Sequence, residues 1–381
     1  MAMHFPGRGQ WERVDPERAG IDPDRLDDAV DFAKVNGTPS NLVNYDFSNH
    51  ERRQGEESAL AETIGPLPDR RGGQAGIVLH EGRIVAEWGD TKRVDPAFSI
   101  SKSFLSTAAG VAYDRGYIES VDDPVAEYID DGRFEGRNSD ITWEHLLQQT
   151  SEWEGTLFGK PDTVDRYRGV GRDEDEVGER GKRELREPGT YWEYNDVRVN
   201  LAALSLLQLF AKPLPRVLAD EITNPISATR TWEWHGYYNS AIEIDGRTMK
   251  SVSGGGHWGG GVWMNARDLA RFGHLYLNHG TWEDKQLLSE EWIDMATTPC
   301  DQNPSYGYMW WLNTDNEQWP DAPESSFAAL GYGGNVVWVD PVHELVVVLR
   351  WLRNADDDGN PVPTHNDFLR RLLDAVTSTS S

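Results

Sequence analysis

The chain has 381 residues, 38% of them hydrophobic, enough to bury the core of one large domain or two intimate ones. Its 64 acidic and 37 basic residues leave a formal net charge of −27, which argues against nucleic acid and anionic membranes as partners. The single cysteine, Cys300, excludes an intramolecular disulfide and reads as a packed thiol.

Only 8 of the 37 basic residues are lysines. Many carboxylates with few lysines is the composition of a surface that stays hydrated in molar salt, so a halophilic protein is expected. The first twenty residues, "MAMHFPGRGQWERVDPERAG", lack the apolar core and cleavage site of a secretory signal. No later run is long enough to span a membrane, and the expectation is a cytoplasmic protein.

In chain order, "GIDPDRLDDAVDFAKVNG" places Leu26, Ala29, Val30 and Phe32-Ala33 at helical spacing, and Gly37 stops the helix. Residues 38–74 are polar and rich in Pro and Gly, a loop. "GIVLHEGRIVAEWGD" is a β-hairpin about Glu81-Gly82. Next, "AFSISKSFLSTAAGVAYDRGYI" sets Phe104, Leu105, Ala108, Ala109 and Ala112 along one helix side. "TWEHLLQQ", "DVRVNLAALSLLQLF" and "NARDLARFGHLYLNHG" are further helices, the last capped by Asn265 and stopped by Gly280. Between them "VGRDEDEVGERGKRELREPGT" is mostly charge and reads as a solvated loop or a short exposed helix. Near the end, "YGYMWWLN", "SFAALGYGG", "NVVWVDP" and "ELVVVLRWL" are four strands, and "NDFLRRLLDAV" closes the chain as a helix. Strands at both ends with helices between them predict an α/β domain, residues 1–113 and 291–381, interrupted by a mostly helical domain over 114–290, with the cleft between them.

Ser99 precedes Lys102 by three residues at the start of the 97–118 run, so both side chains share one helix face. The arrangement admits two readings. One is a capping serine beside a surface lysine. The other is a nucleophile whose proton is taken by a nearby amine, with the helix N-terminus offering the Ser99 N–H to an oxyanion. Lysine serves as a base where arginine cannot, and this chain otherwise prefers arginine.

"FSISKSFLSTAAGVAYDRGYIESVDDPVAEYI", "ITWEHLLQQTS", "EPGTYWEYNDVRVNLAAL", "GGGHWGGGVWMNARDLARFGHLYL", "NPSYGYMWWLN" and "ALGYGGNVVWVDPVHELVVVL" together resemble the serine β-lactamase and penicillin-binding-protein superfamily. The branch is that of class C β-lactamases, family VIII carboxylesterases, D-aminopeptidases and 6-aminohexanoate-dimer hydrolases, and the resemblance covers about residues 75–350. It implies a central antiparallel sheet flanked by N- and C-terminal helices. It also implies Ser99 as nucleophile, Lys102 and Tyr194 as proton-transfer groups, and the N–H groups of Ser99 and Asn335 as oxyanion donors. Tyr194-Asn195-Asp196 matches the family's Tyr-x-Asn, with Asp196 in place of the amide. Tyr332-Gly333-Gly334 matches its Lys-Thr-Gly without the lysine, and no lysine follows Lys285. Asp196, His257, Tyr332, Gly333, Gly334 and Trp153 are the candidate substrate contacts.

There is no His-Glu-x-x-His or Cys-x-x-Cys pair, no phosphate-binding Gly-x-x-x-x-Gly-Lys, and no Gly-x-Ser-x-Gly elbow. No metal or cofactor is expected. The expected activity is hydrolysis of a small ester, or a short linear amide, through an acyl-enzyme. β-Lactamase or D-amino-acid peptidase activity is the alternative, and a non-catalytic binding or sensor protein on the same fold is the alternative of another class.

Overall fold

The computed structural model describes residues 2–38, 62–166, 170, 183–256, 258–355 and 362–377. Helix α1 (Pro23–Val35) begins at Asp22, whose side chain accepts from the N–H groups of Asp24 and Arg25. Strands β1 (Ala75–His80) and β2 (Arg83–Trp88) form the expected hairpin, turning through Glu81 and Gly82 at positive φ. The two-residue strand β3 (Asp95–Pro96) leads into helix α2 (Ile100–Asp114). Helices α3 (Trp143–Gln148), α4 (Asp196–Phe210) and α5 (Leu214–Leu218) follow. Then come β4 (Glu233–His235), β5 (Gly261–Met264), α6 (Ala266–Leu277) and α7 (Glu290–Ala296). Strands β6 (Trp311–Leu312), β7 (Phe327–Gly331), β8 (Asn335–Asp340) and β9 (Leu345–Arg350) precede the closing helix α8 (Thr364–Thr377).

The main sheet has the order β6-β7-β8-β9-β1-β2, every neighbour antiparallel. Side chains alternate across it. Ile77, Leu79, Val337, Val339, Val346 and Val348 pack with α2 and α6. Val78, Val336, Trp338, Val347 and Leu349 pack with α1 and α8. Burial on both faces explains why β8 and β9 are nearly continuous apolar runs.

Helix α2 is the axis of the molecule. Every residue from Ile100 to Ala112 is buried, including the polar ones. Their hydrogen bonds are made inside: Ser101 Oγ accepts from the Val262 N–H at 2.7 Å, and Ser103 Oγ donates to Met309 O at 2.8 Å.

The domain expectation requires a correction. Helix α6, assigned by sequence to the helical half over 114–290, lies on the sheet against β9, β8 and β1. A Cβ on its Gly273 would fall 2.7 and 2.8 Å from methyls of Val346 and Val337, so the glycine sets the close approach. The three-stranded sheet β3-β5-β4 was not expected either, because strands of two to four residues carry no periodicity. In "YGYMWWLN" only Trp311 and Leu312 are paired as a strand, since Met309 takes a left-handed φ of 59°. Among the described residues no single helix is long and apolar enough to cross a membrane. The bent pair Asp196–Phe210 and Leu214–Thr223 passes that test only jointly, and most of α4 is buried in this core.

A buried histidine ties the N-terminal segment to α6. His274 is fully buried, with Nε2 2.9 Å from His4 O, and burial pushes its pKa down to about 4. Unfolded, it titrates at about 6.5, so the unfolded chain takes up the proton first as pH falls. Folding stability should therefore fall by up to ~3 kcal/mol between about pH 6.5 and about pH 4 from this group. Urea midpoints across that range measure the slope, and His274→Gln should reduce it by this share, leaving that of His365, which burial also pushes down to about 4.

Candidate active site

Ser99 is the residue before α2, yet its side chain makes no cap hydrogen bond. Its Oγ instead lies 2.9 Å from Lys102 Nζ. The backbone reaches this point through Phe98, which holds a φ of +50°, a conformation strained for a bulky L-residue. The capping-serine reading therefore fails on geometry, and Lys102 is no surface lysine, because it is 1% exposed.

Lys102 is the hub. Its Nζ is 2.7 Å from Asp196 Oδ1 and 3.2 Å from Gly254 O, and 4.8 Å from the centroid of the Tyr194 ring. Burial alone would push the amine down. The Asp196 charge, and after it Tyr194, outweigh that and hold Lys102 above its ordinary value.

Tyr194 and Asp196 arrive together because α4 starts between them. Asn195 is the cap of α4, its side chain accepting from the N–H groups of Val197 and Arg198. Gln149 at the end of α3, itself left-handed, accepts the Asn195 N–H at 2.9 Å and donates to Tyr306 Oη at 2.7 Å. The Tyr194 ring stacks over Trp311 with centroids 6.0 Å apart. Neither Gln149 nor Tyr306 was picked from sequence; each acts through a contact far along the chain.

The Gly-rich stretch from 254 runs against the catalytic groups. A Cβ on Gly255 would sit 2.0 Å from Phe98 O, and one on Gly256 2.3 Å from Asp196 Oδ2. His257, named as a candidate from sequence, lies outside the described residues.

The remaining candidates separate. Tyr332 is 43% exposed, its ring edge-on to Phe98 at 5.6 Å, beside Ser99. Gly331 is the residue of β7 that abuts the nucleophile segment, since a Cβ there would lie 2.3 Å from Ala97 O. Asn335 begins β8 opposite Gly331, buried, with its side-chain amide donating to Tyr332 O at 2.6 Å. The other four candidates, Gly333, Gly334, Trp153 and Asp196, make close contacts within the chain. Gly333 and Gly334 make room for the chain itself: Cβ atoms there would meet the Trp351 ring at 2.5 Å and Leu352 O at 1.5 Å. Trp153 is a packing residue, 2% exposed, with Nε1 donating to Arg133 O at 2.9 Å. Asp196 is 1% exposed, and its carboxylate is engaged by Lys102.

Residues 171–182 of the charge-rich stretch lie outside the described residues. Arg183, read as part of a solvated loop, donates to both carboxylate oxygens of the buried Glu152 at 2.7 and 2.8 Å. Arg198 of α4 joins Glu152 at 3.0 Å, Glu193 at 3.1 Å and Asp162 at 3.4 Å. Arg166 completes Asp162 at 2.7 Å. This buried network fastens the 152–166 loop and the 183–193 segment to the helix that carries Tyr194 and Asp196.

Residues 60–371 match the family model described as Beta-lactamase, which is more than three quarters of the chain. The chain belongs to the β-lactamase family. Solved structures with the same fold include a family VIII carboxylesterase, at 16% identity and a TM-score of 0.56, covering 94% of this chain and 98% of that one. A penicillin-binding-protein homologue from Caulobacter crescentus gives 15% identity and a TM-score of 0.56 over the same shares. Among curated relatives, an inferred D-alanyl-D-alanine carboxypeptidase of Escherichia coli O157:H7 is 24% identical over 229 residues, 50% of this chain and 52% of its own length. This β-lactamase-family chain thus spans about half the length of that relative, and its likeness to the solved structures is one of fold.

Proposed function

We propose that this β-lactamase-family serine hydrolase cleaves small neutral esters through an acyl-enzyme on Ser99. The observation that carries the reading is a serine at a helix start that caps nothing. It sits on a strained turn and is bonded to a buried lysine. Ser99 Oγ attacks the carbonyl carbon, the alcohol leaves, and water releases the acid. The N–H groups of Ser99 and of the Gly331–Asn335 turn serve the developing oxyanion.

Neutral substrates are favoured because the turn after β7 reads Tyr332-Gly333-Gly334, with no lysine in the sequence beyond Lys285 to meet a carboxylate. The half-exposed Tyr332 ring, backed by the buried Phe98, offers an aromatic surface beside Ser99 instead. Short linear amides come next, and β-lactams and D-amino-acid peptides last.

The test is hydrolysis of p-nitrophenyl acetate and butyrate in low and in molar KCl, with intact mass after a fluorophosphonate probe. Turnover with one adduct, mapped to Ser99, supports the reading. Higher rates in molar salt would follow from the acidic composition. An inert protein without adduct in either salt gives the fold to a binding protein. Nitrocefin, which carries a carboxylate, should be cleaved with a kcat/KM about 10²-fold below that for the butyrate ester; parity or better would reverse the substrate order.

A further inference from the structure

Trp351 follows the last residue of β9 and is fully buried, yet its φ is +59°, a strained conformation for a bulky L-residue. Phe98, the residue before Ser99, holds a φ of +50°. These two residues touch: their rings meet edge to face with centroids 5.9 Å apart. Two residues off the favoured backbone and in contact persist where the surrounding structure holds them in place.

The surroundings do so from several sides. The Arg71 guanidinium lies 4.8 Å from the centroid of the Trp351 ring. The indole Nε1 is 3.4 Å from Asp95 Oδ2, which also accepts the Gly72 N–H at 2.7 Å. Next to Trp351, the buried Arg350 donates to Pro96 O at 2.8 Å. Toward the Gly331–Asn335 turn the contacts are as dense. The Thr38 N–H donates to Trp351 O at 2.8 Å, and Thr38 Oγ1 donates to Gly333 O at 2.9 Å. The Leu352 N–H donates to Gly334 O at 3.1 Å. Cζ3 and Cε3 of the indole lie so close to Gly333 that a Cβ there would meet them at 2.5 and 2.7 Å. The same indole therefore abuts the segment that leads into Ser99 and the turn that follows β7.

We propose that Trp351 is a positioning residue that spaces the Ser99 turn from the Gly331–Asn335 turn, so that N–H groups from both converge on one carbonyl oxygen. The proposal rests on the hydrolase reading above. As Ser99 Oγ attacks, that oxygen takes up negative charge, and donors stabilise it when they are already held about 3 Å from its final place. Gly333 and Gly334 leave the turn without side chains to stiffen it. A buried indole of fixed size behind them supplies the missing stiffness. Trp351 reaches no substrate; it acts through Phe98 on one side and Gly333 on the other.

Two substrates that differ in one atom read this directly. p-Nitrophenyl butyrate places an oxygen between the donors. The matching O-aryl thionobutyrate places a sulfur there, larger and a weaker acceptor. The wild type should prefer the oxygen ester. Trp351→Leu should lower kcat on it about 10²-fold with KM changed less than about threefold. The thiono ester should lose far less, so the oxygen-to-sulfur ratio of kcat/KM should narrow at least about tenfold. Trp351→Phe, which keeps an aromatic wedge, should recover part of both the rate and the ratio. A packing role lowers both substrates together through the folded fraction, so an unchanged ratio in folded Trp351→Leu overturns the proposal. Should Trp351→Leu fail to fold, Trp351→Phe carries the test: a narrowed ratio supports the proposal and the wild-type ratio overturns it.

Geometry supplies an arm that needs no turnover. Crystal structures of the wild type and of the folded variant give the separation of Ser99 from the Gly331–Asn335 backbone. It should change by about 0.5 Å or more, and two turns that superimpose overturn the proposal. If the wild type hydrolyses neither ester and takes no fluorophosphonate, the hydrolase reading fails by itself, while the crystal comparison still decides whether Trp351 sets the spacing.

Discussion

Ser99→Ala should lower ester turnover by about 10⁴–10⁶-fold and abolish the fluorophosphonate adduct, with the fold intact. The size of the effect follows from what alanine removes and what it leaves. It removes the atom that bonds to carbon. It leaves the backbone N–H groups, the half-exposed Tyr332 ring, and Lys102 still held by Asp196 and Gly254. Residual catalysis from binding and oxyanion contacts alone sits far below the covalent route. Any stability change should be small beside the loss of rate, because Ser99 Oγ caps no helix and Lys102 keeps Asp196 and Gly254 as partners. A thermal melt beside the rate assay separates the two outcomes. Lost activity with an unchanged melt assigns the nucleophile. Retained activity places the nucleophile elsewhere.

That prediction draws on features readable from sequence and on others that were not. Ser99 and Lys102 were legible because i and i+3 share a helix face at any depth, and the apolar run over 100–112 made the helix plain. The β1–β2 hairpin was legible through Glu81-Gly82, and β8 and β9 through their apolar runs. The partner of Lys102 was not legible. Asp196 looks from sequence like a polar residue at a cleft, and only folding shows that its carboxylate is closed off by Lys102 and by the glycine at 256. The layer to which α6 belongs was equally hidden. An amphipathic stripe states that one face is buried, not against what. The burial of Trp153 was hidden for the same reason, since a large aromatic near a cleft motif packs inward as readily as it lines a wall.

Arg183, at the described end of the charge-rich segment, belongs to a buried network that carries the other large prediction. Polar sequence reads as solvated because a lone buried charge is costly, but charges that bury one another escape that rule. Arg198, 1% exposed, faces Glu152, Glu193 and Asp162, and its Nε donates to Trp153 O at 3.1 Å. Arg198→Met should cost about 3–5 kcal/mol in urea unfolding, because it leaves buried carboxylates short of a counter-charge. Glu152→Gln on the same background should recover part of that loss, as expected for neighbours in one network. Acid should act on the same group. Burial pushes the Glu152 carboxyl up, but bonds from Arg183, the charge of Arg198 and the Arg186 N–H outweigh it and hold it below its usual 4.5. Its folded value is depressed, so its contribution is present in full above about pH 4.5 and lost as pH falls through the folded value. The wild type should therefore show this acid loss, and Glu152→Gln should lack it. Activity gives the functional reading. The network fastens the start of α4, so Arg198→Met should lower kcat even where the protein remains folded, through displacement of Tyr194 and Asp196 from Lys102. A variant that is destabilised but turns over at the wild-type kcat would show that the network holds the loops and not the catalytic groups.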